Sequence, residues 1–240
     1  MSDPLHQFEI HTLFPLTIKG IDISFTNASL FMVIAVVATT VFLGGGLSRS
    51  RMIPGPWQSM VELVYSFVSN ILDETMGEKG RKYFPFIFTI FMFIFMGNVI
   101  GMIPYTYTFT SQIIVTFGLA MIVFGMATVV GFIHHGFHYF TLFVPKGAPI
   151  YMLPLIVPIE ILSYLSRPVS LSVRLFANMM AGHTMLKVFA GFTVTLGLFG
   201  IAPLSVNVML IAFEILVAVL QAYVFTILTC IYFQDSIHLH

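Results

Sequence analysis

The sequence predicts an all-α, polytopic membrane protein. About five transmembrane helices, one amphipathic surface helix and a long tilted C-terminal helical hairpin are expected within a single membrane domain, 1–240. Three observations carry this. Hydrophobic side chains make up 58% and charged ones 8% of the 240 residues, and the mean hydropathy is +0.98, whereas a soluble fold of this size needs far more polar surface. Apolar runs reach the length of about 20 residues that carries a helix across a ~30 Å hydrocarbon core. The few polar residues of the last third recur at helical spacing. Formal net charge is zero, so no basic surface points to nucleic acid. The single cysteine, Cys230, excludes an internal disulfide.

Each element has its own justification. Residues 1–27 contain Asp3, Glu9, Lys19 and Asp22 with no basic stretch ahead of a short apolar core, so a cleaved signal peptide is not expected. A first span covers about 28–47 and ends in Gly44-Gly45-Gly46. Ser48-Arg49-Ser50-Arg51 and Pro54-Gly55-Pro56 separate it from 57–76. There Met60, Leu63, Val64, Phe67, Val68, Ile71, Leu72 and Met76 recur at helical spacing, with Glu62, Ser66, Ser69, Asn70, Asp73 and Glu74 on the other face. That pattern predicts a helix lying on the membrane rather than crossing it. After Lys79, Arg81 and Lys82, residues 84–133 read as a helical hairpin: a Phe-rich span to about Ile103, a polar turn from Pro104 to Ser111, and a span from about Gln112.

The last unit, 150–233, is the unusual one. A first arm runs from about Ile150 to Leu196 with kinks expected at Pro154, Pro158 and Pro168. Gly197 to Pro203 makes a turn, and a second arm reaches about Phe233. A first arm of ~47 residues would be ~70 Å long at 1.5 Å per residue. It must lie steeply tilted or break, and such a hairpin suits a neighbouring surface that it wraps.

Orientation follows from the basic residues. Arg49, Arg51, Lys79, Arg81, Lys82 and Lys146 fall in loops on one side and Lys19 alone on the other. The positive-inside rule puts the basic loops and the C-terminus in the cytoplasm and the N-terminus outside.

Polar side chains within the hairpin point to function. Arg174 is a cation that cannot neutralise itself by losing a proton, and placing it at mid-bilayer costs roughly 3 kcal/mol on insertion scales and more in simulations. At 100° per residue Glu160, Ser163, Arg167, Arg174 and Asn178 share one stripe of the first arm. Asn207, Glu214 and Gln221 share a face of the second. Folding the hairpin about residue 200 sets Arg174 level with about 226, brings Asn178 opposite Gln221, and brings His183 near Glu214. His183 and Glu214 then lie on the outer side of Arg174 and Glu160 on the cytoplasmic side. Carboxylates and imidazole can relay protons, whereas a guanidinium between them repels protons. The arrangement reads as two half-paths separated by a barrier.

Plainer readings stand beside this one. Arg174 could pair with Glu214 or Asp235, though neither is level with it. His183 and Glu214 could be a structural hydrogen-bonded pair, Glu160 a solvated interfacial carboxylate, and Arg167 a snorkelling side chain. His134, His135 and His138 lie at a loop edge with no cysteine or fourth ligand nearby, so neither a metal nor another cofactor is expected. No nucleophile–base pair, Walker loop or dinucleotide fingerprint is present, which argues against a membrane-embedded enzyme. A proton-coupled secondary transporter or an ion-driven motor stator remains open on the residues alone.

The run Ser170-Leu171-Ser172-Val173-Arg174-Leu175-Phe176-Ala177-Asn178-Met179-Met180-Ala181-Gly182-His183, followed by Glu214 and Leu220-Gln221-Ala222-Tyr223-Val224-Phe225, resembles the subunit a family of rotary F-type ATP synthases. The span order agrees across nearly the whole chain. The resemblance implies that Arg174 faces the carboxylates of a c-ring. It implies that Asn178, His183, Glu214 and Gln221 line the outer half-channel and that Glu160 and Ser163 lie near the cytoplasmic exit. In some bacterial members a Glu stands at the His183 position and a His at the Glu214 position; here the two are exchanged, as in members resembling the mitochondrial type. Expected partners are c-ring subunits, the peripheral-stalk subunit b beside the 57–76 helix, the lipid bilayer and protons. The expected location is a bacterial inner membrane, with the mitochondrial inner membrane as the alternative.

Overall fold

A computed structural model describes residues 8–15, 17–18, 21–22, 24–48, 51–103, 106–144 and 150–237. Asp3, Lys19, Arg49 and Lys146, and Pro104 of the polar turn, lie outside the described residues. The protein is all-α and polytopic. Five helical segments are long and apolar enough to cross a membrane, by length and composition. Short strand pairs, which the sequence did not signal, precede them: Thr12–Phe14 against Phe25–Thr26, and Thr17–Ile18 against Ile21–Asp22.

Helix α1, Asn27–Leu47, is capped by Thr26, whose hydroxyl accepts from Ser29 N at 3.4 Å. Its C-terminal turn lies against α2, Pro56–Met76. A Cβ on Gly46 would meet Val61 Cγ2 at 2.6 Å, so only glycine permits this approach. Trp57 Nε1 closes the corner by donating to Phe42 O at 3.1 Å.

The apolar stripe of α2 divides into two facets. Val68, Ile71, Leu72 and Met76 enter the main core, whereas Met60 and Leu63 are exposed. After Gly77, at φ +63°, a 3₁₀ turn over Gly77–Tyr83 leads directly into α3, Phe84–Gly101. Arg81 Nε and Asp73 Oδ1, 3.3 Å apart, brace that turn. Helix α4, Ile113–His135, returns across the bundle.

The core is built around the last helix, which packs against α2, α3, α4 and the helix before it. Ile87, Ile90, Phe91 and Ile94 of α3 share it with Ala120 and Ala127 of α4 and with Ala218, Ala222, Phe225 and Phe233. Small residues at these positions let helix backbones approach closely, which is how apolar helices gain packing energy in lipid.

Helix α5, Leu153–Thr195, is one element of 43 residues with Pro158 and Pro168 inside it. Of the two expected outcomes, tilt or break, the break does not occur. Pro154 kinks nothing: it sits in the first turn, where a missing N–H leaves no bond unmade. A 3₁₀ turn, Gly197–Gly200, joins α6, Ile201–Ile237. This last helix starts earlier and ends later than the sequence predicts. Pro203 opens it from its first turn instead of closing the preceding one, and Phe233 is an interior core residue.

Two contacts fix the ends of the bundle. His135 Nε2 meets Ile237 O at 2.9 Å, so α4 and α6 finish on one side. Gln112 Nε2 donates to Phe8 O at 2.9 Å, placing the N-terminal segment and the α3–α4 connection on the other.

Candidate functional site

Three cross-hairpin pairs set the register of α5 against α6. Arg167 Nη1 meets Asp235 Oδ2 at 2.8 Å, Asn178 Nδ2 donates to Gln221 Oε1 at 2.8 Å, and His183 Nδ1 stands 3.4 Å from Glu214 Oε1. The second and third are the pairs that folding the sequence about residue 200 predicts. The first corrects the snorkelling reading of Arg167. Its guanidinium is paired with Asp235 and lies over the rings of Tyr164 and Tyr232, 5.5 and 5.4 Å from their centroids.

That pair also removes Asp235 as a partner for Arg174. Arg174 lies between the first two rungs, on the exposed side of α5. It makes no hydrogen bond or ion pair among the described residues. A guanidinium without an ion-pair partner is costly to hold at mid-span in a membrane. Asn178, one turn along, is exposed on the same side.

Above these rungs, toward the N-terminal side, a cavity of ≈ 880 Å³ opens between the N-terminal segment, the α3–α4 connection and the hairpin. Glu9, His11, Tyr107, His183, Asn207 and Glu214 are among the residues that line it. Glu214 is 4% exposed. Both of its carboxylate oxygens are buried without a hydrogen-bond partner among the described residues, as is Asn207 Oδ1. The 3.4 Å approach of His183 is therefore a contact still short of a hydrogen bond. Buried acceptors left open in this way stabilise nothing by themselves but are available to a proton. From residue 183 to 174 is about 13 Å along α5 at 1.5 Å per residue, and Arg174 is not among the residues that line the cavity.

The remaining sequence candidates are not brought together. Glu160 is half-buried and Ser163 exposed near the start of α5, on the side where α4 and α6 end. His134 Nδ1 lies 3.0 Å from Val130 O and His135 bonds the end of α6. No group of three or more potential metal ligands occurs among the described residues.

Several residues escaped the sequence reading. Thr108, between α3 and α4, places its hydroxyl 3.0 Å from His183 Nε2. Asn98 is fully buried; it donates to Ala218 O at 3.2 Å and accepts from Thr110 at 2.9 Å, tying the connection to α6 one turn past Glu214. Gly182 allows the third rung: a Cβ there would lie 2.8 Å from Glu214 Oε1. A glycine beside a polar stripe residue was the available signal.

Known proteins are similar to this chain over nearly its whole length. The family model described as ATP synthase A chain matches residues 28–234. The ATP synthase subunit a of Parvibaculum lavamentivorans is 55% identical over 98% of this chain and 94% of its own. That of Pelagibacter ubique is 56% identical over 100% and 99%, and that of Rhodospirillum rubrum 51% identical over the full length of both.

Proposed function

The chain belongs to the ATP synthase A chain family, and on that premise we propose that it is the proton-translocating stator subunit of a bacterial F-type ATP synthase. It has no catalytic centre of its own. The observation that carries the mechanism is an N-terminal-side cavity lined by His183 and Glu214, together with Arg174, exposed on α5 and without a hydrogen bond or ion pair among the described residues.

Protons enter from the N-terminal side, the outer face, pass through Glu214 and His183, and protonate a carboxylate of the c-ring. Neutral, that carboxylate can turn through lipid; charged, it would face a penalty of several kcal/mol. After nearly a full turn it releases its proton toward Glu160 and Ser163 on the cytoplasmic side. Arg174 attracts the resulting anion and, as a fixed cation, keeps protons from crossing between the half-paths. Asn178 and Gln221, hydrogen-bonded to each other, hold the two arms in register between cation and relay. Each charge driven through 100 mV supplies ~2.3 kcal/mol. An unbroken α5 of 43 residues, ~65 Å long, exceeds the ~30 Å core and lies inclined along the curved ring. The exposed facet of α2 faces lipid and the membrane anchor of subunit b.

Single-cysteine accessibility tests the two paths. Cys230 is buried, so Cys230→Ser supplies the background, and assembled complexes in oriented vesicles are treated with a membrane-impermeant maleimide. Asn207→Cys is expected to react from the N-terminal side alone and Ser163→Cys from the opposite side alone. Reaction of both from one side contradicts the offset arrangement.

Gly182→Ala provides an independent test of the relay. Its methyl group displaces the flexible carboxylate of Glu214 without touching backbone, so the complex assembles. ATP synthesis is expected to fall about tenfold, a step of roughly 1.4 kcal/mol. Wild-type synthesis would mean that the His183–Glu214 approach is incidental.

A further inference from the structure

We propose that Thr108 is a positioning residue that fixes the tautomer of His183, so that Nδ1 is the nitrogen exchanging a proton with Glu214. The inference rests on the reading of His183 and Glu214 as proton carriers.

One hydroxyl serves two neighbours. Thr108 Oγ1 lies 3.1 Å from Gly101 O and 3.0 Å from His183 Nε2, and a hydroxyl has a single proton to give. Gly101 O belongs to the last turn of α3, whose carbonyls have no partner within the helix. In the same turn Ile100 O, and Ile103 O just beyond it, accept from Ile103 N and Thr106 N, each at 3.1 Å, and Thr106 Oγ1 gives its proton to one of the two, 2.7 Å from each. For Gly101 O, Thr108 is the side-chain donor among the described residues, and Thr108 is 5% exposed. The hydroxyl proton is therefore committed to Gly101 O, and Thr108 turns a lone pair toward His183. Nε2 must then carry hydrogen. A bare Nε2 would set lone pair against lone pair.

With Nε2–H fixed, the neutral ring has its free lone pair on Nδ1, 3.4 Å from Glu214 Oε1. When that gap closes to hydrogen-bond length, the O–H bond of protonated Glu214 breaks and an N–H bond forms on Nδ1. The products are a carboxylate and an imidazolium, and the reverse step restores both neutral groups. The Nε2–H···Oγ1 bond is common to the two states, so the proton moves without ring rotation. In the opposite tautomer Nδ1 is already occupied and accepts nothing from Glu214.

Other charged and titratable groups stand around the same cavity: Lys187 on α5, Glu9 and His11 of the N-terminal segment and Tyr107 of the α3–α4 connection line it. A charge acts on the dipole of the ring and so biases the two neutral tautomers, whereas Thr108 acts at hydrogen-bond distance from Nε2 itself.

The test uses the assembled ATP synthase in proteoliposomes, with synthesis followed against pH on the N-terminal side. Thr108→Val keeps the shape and removes the acceptor of Nε2–H, which the imidazolium needs. Synthesis is expected to drop about tenfold, with its midpoint moved down by about one pH unit, and Thr108→Ser to restore the wild-type profile. An unmoved midpoint in Thr108→Val, whatever its rate, overturns the proposal. His183→Ala, measured alongside, separates the two levels: wild-type synthesis there sinks the relay reading itself. Nitrogen-15 NMR of the histidine-labelled wild-type complex, with His183 assigned by difference from His183→Gln, is independent of how any Thr108 variant folds. A neutral His183 protonated on Nε2 is expected, and one protonated on Nδ1 overturns the assignment.

Discussion

Arg174→Ala is expected to reduce ATP synthesis to below about 1% of wild type, an effect of some 3 kcal/mol, while the complex still assembles. Assembly survives because Arg174 has no intramolecular partner among the described residues and is exposed on α5. Its removal leaves no buried counter-charge behind, and alanine is a good helix former at that position. What disappears, on the proposed mechanism, is the fixed cation that receives the deprotonated ring carboxylate. Arg174→Lys is expected to recover little. An ammonium in a low-dielectric site can shed its proton, and it lacks the planar fork that matches a carboxylate. Synthesis under an imposed proton gradient, with subunit content measured in the same membranes, checks both variants.

Glu214→Gln is the second large effect. The amide preserves the size of the side chain in its buried niche but cannot take up or release a proton. Positioned acid–base groups commonly contribute 10²–10⁴-fold, so a loss of about 100-fold in both synthesis and ATP-driven pumping is expected. His183 would remain, 3.4 Å from a group that no longer exchanges protons with it. Pumping by Glu214→Gln within a factor of two of wild type would show that protons bypass this carboxyl.

The register of the hairpin was readable from the sequence because a turn near residue 200 and a constant rise per residue determine which positions are level. That logic pairs Asn178 with Gln221 and His183 with Glu214, the pairs found in the structure. It missed the link between Arg167 and Asp235, because α6 continues past Phe233 and carries Asp235 within the helix. Periodicity located the apolar stripe of α2 but could not say which positions meet protein. Val68 is buried against other helices while Leu63 is 70% exposed, and both are equally apolar. Thr108 was invisible for a different reason: it lies in a connection, where no period operates, and reaches His183 only when that connection folds over α5. Gly182 is legible only once Glu214 has been placed against it. Glu160 and Ser163 share a stripe with Arg174, and the role proposed for them depends on the surface of the proposed c-ring.

The central claim is that Arg174 separates two proton paths. Passive proton flux through the assembled membrane sector, stripped of its soluble sector and reconstituted in liposomes, tests it most directly. With Arg174→Ala in place, flux under a pH gradient is expected to persist when ring rotation is blocked by cross-linking the ring to the stator, while the equally cross-linked wild type is sealed. Equal sealing of both, together with ATP-driven pumping by Arg174→Ala at the wild-type rate, would contradict the account and return Arg174 to a structural role.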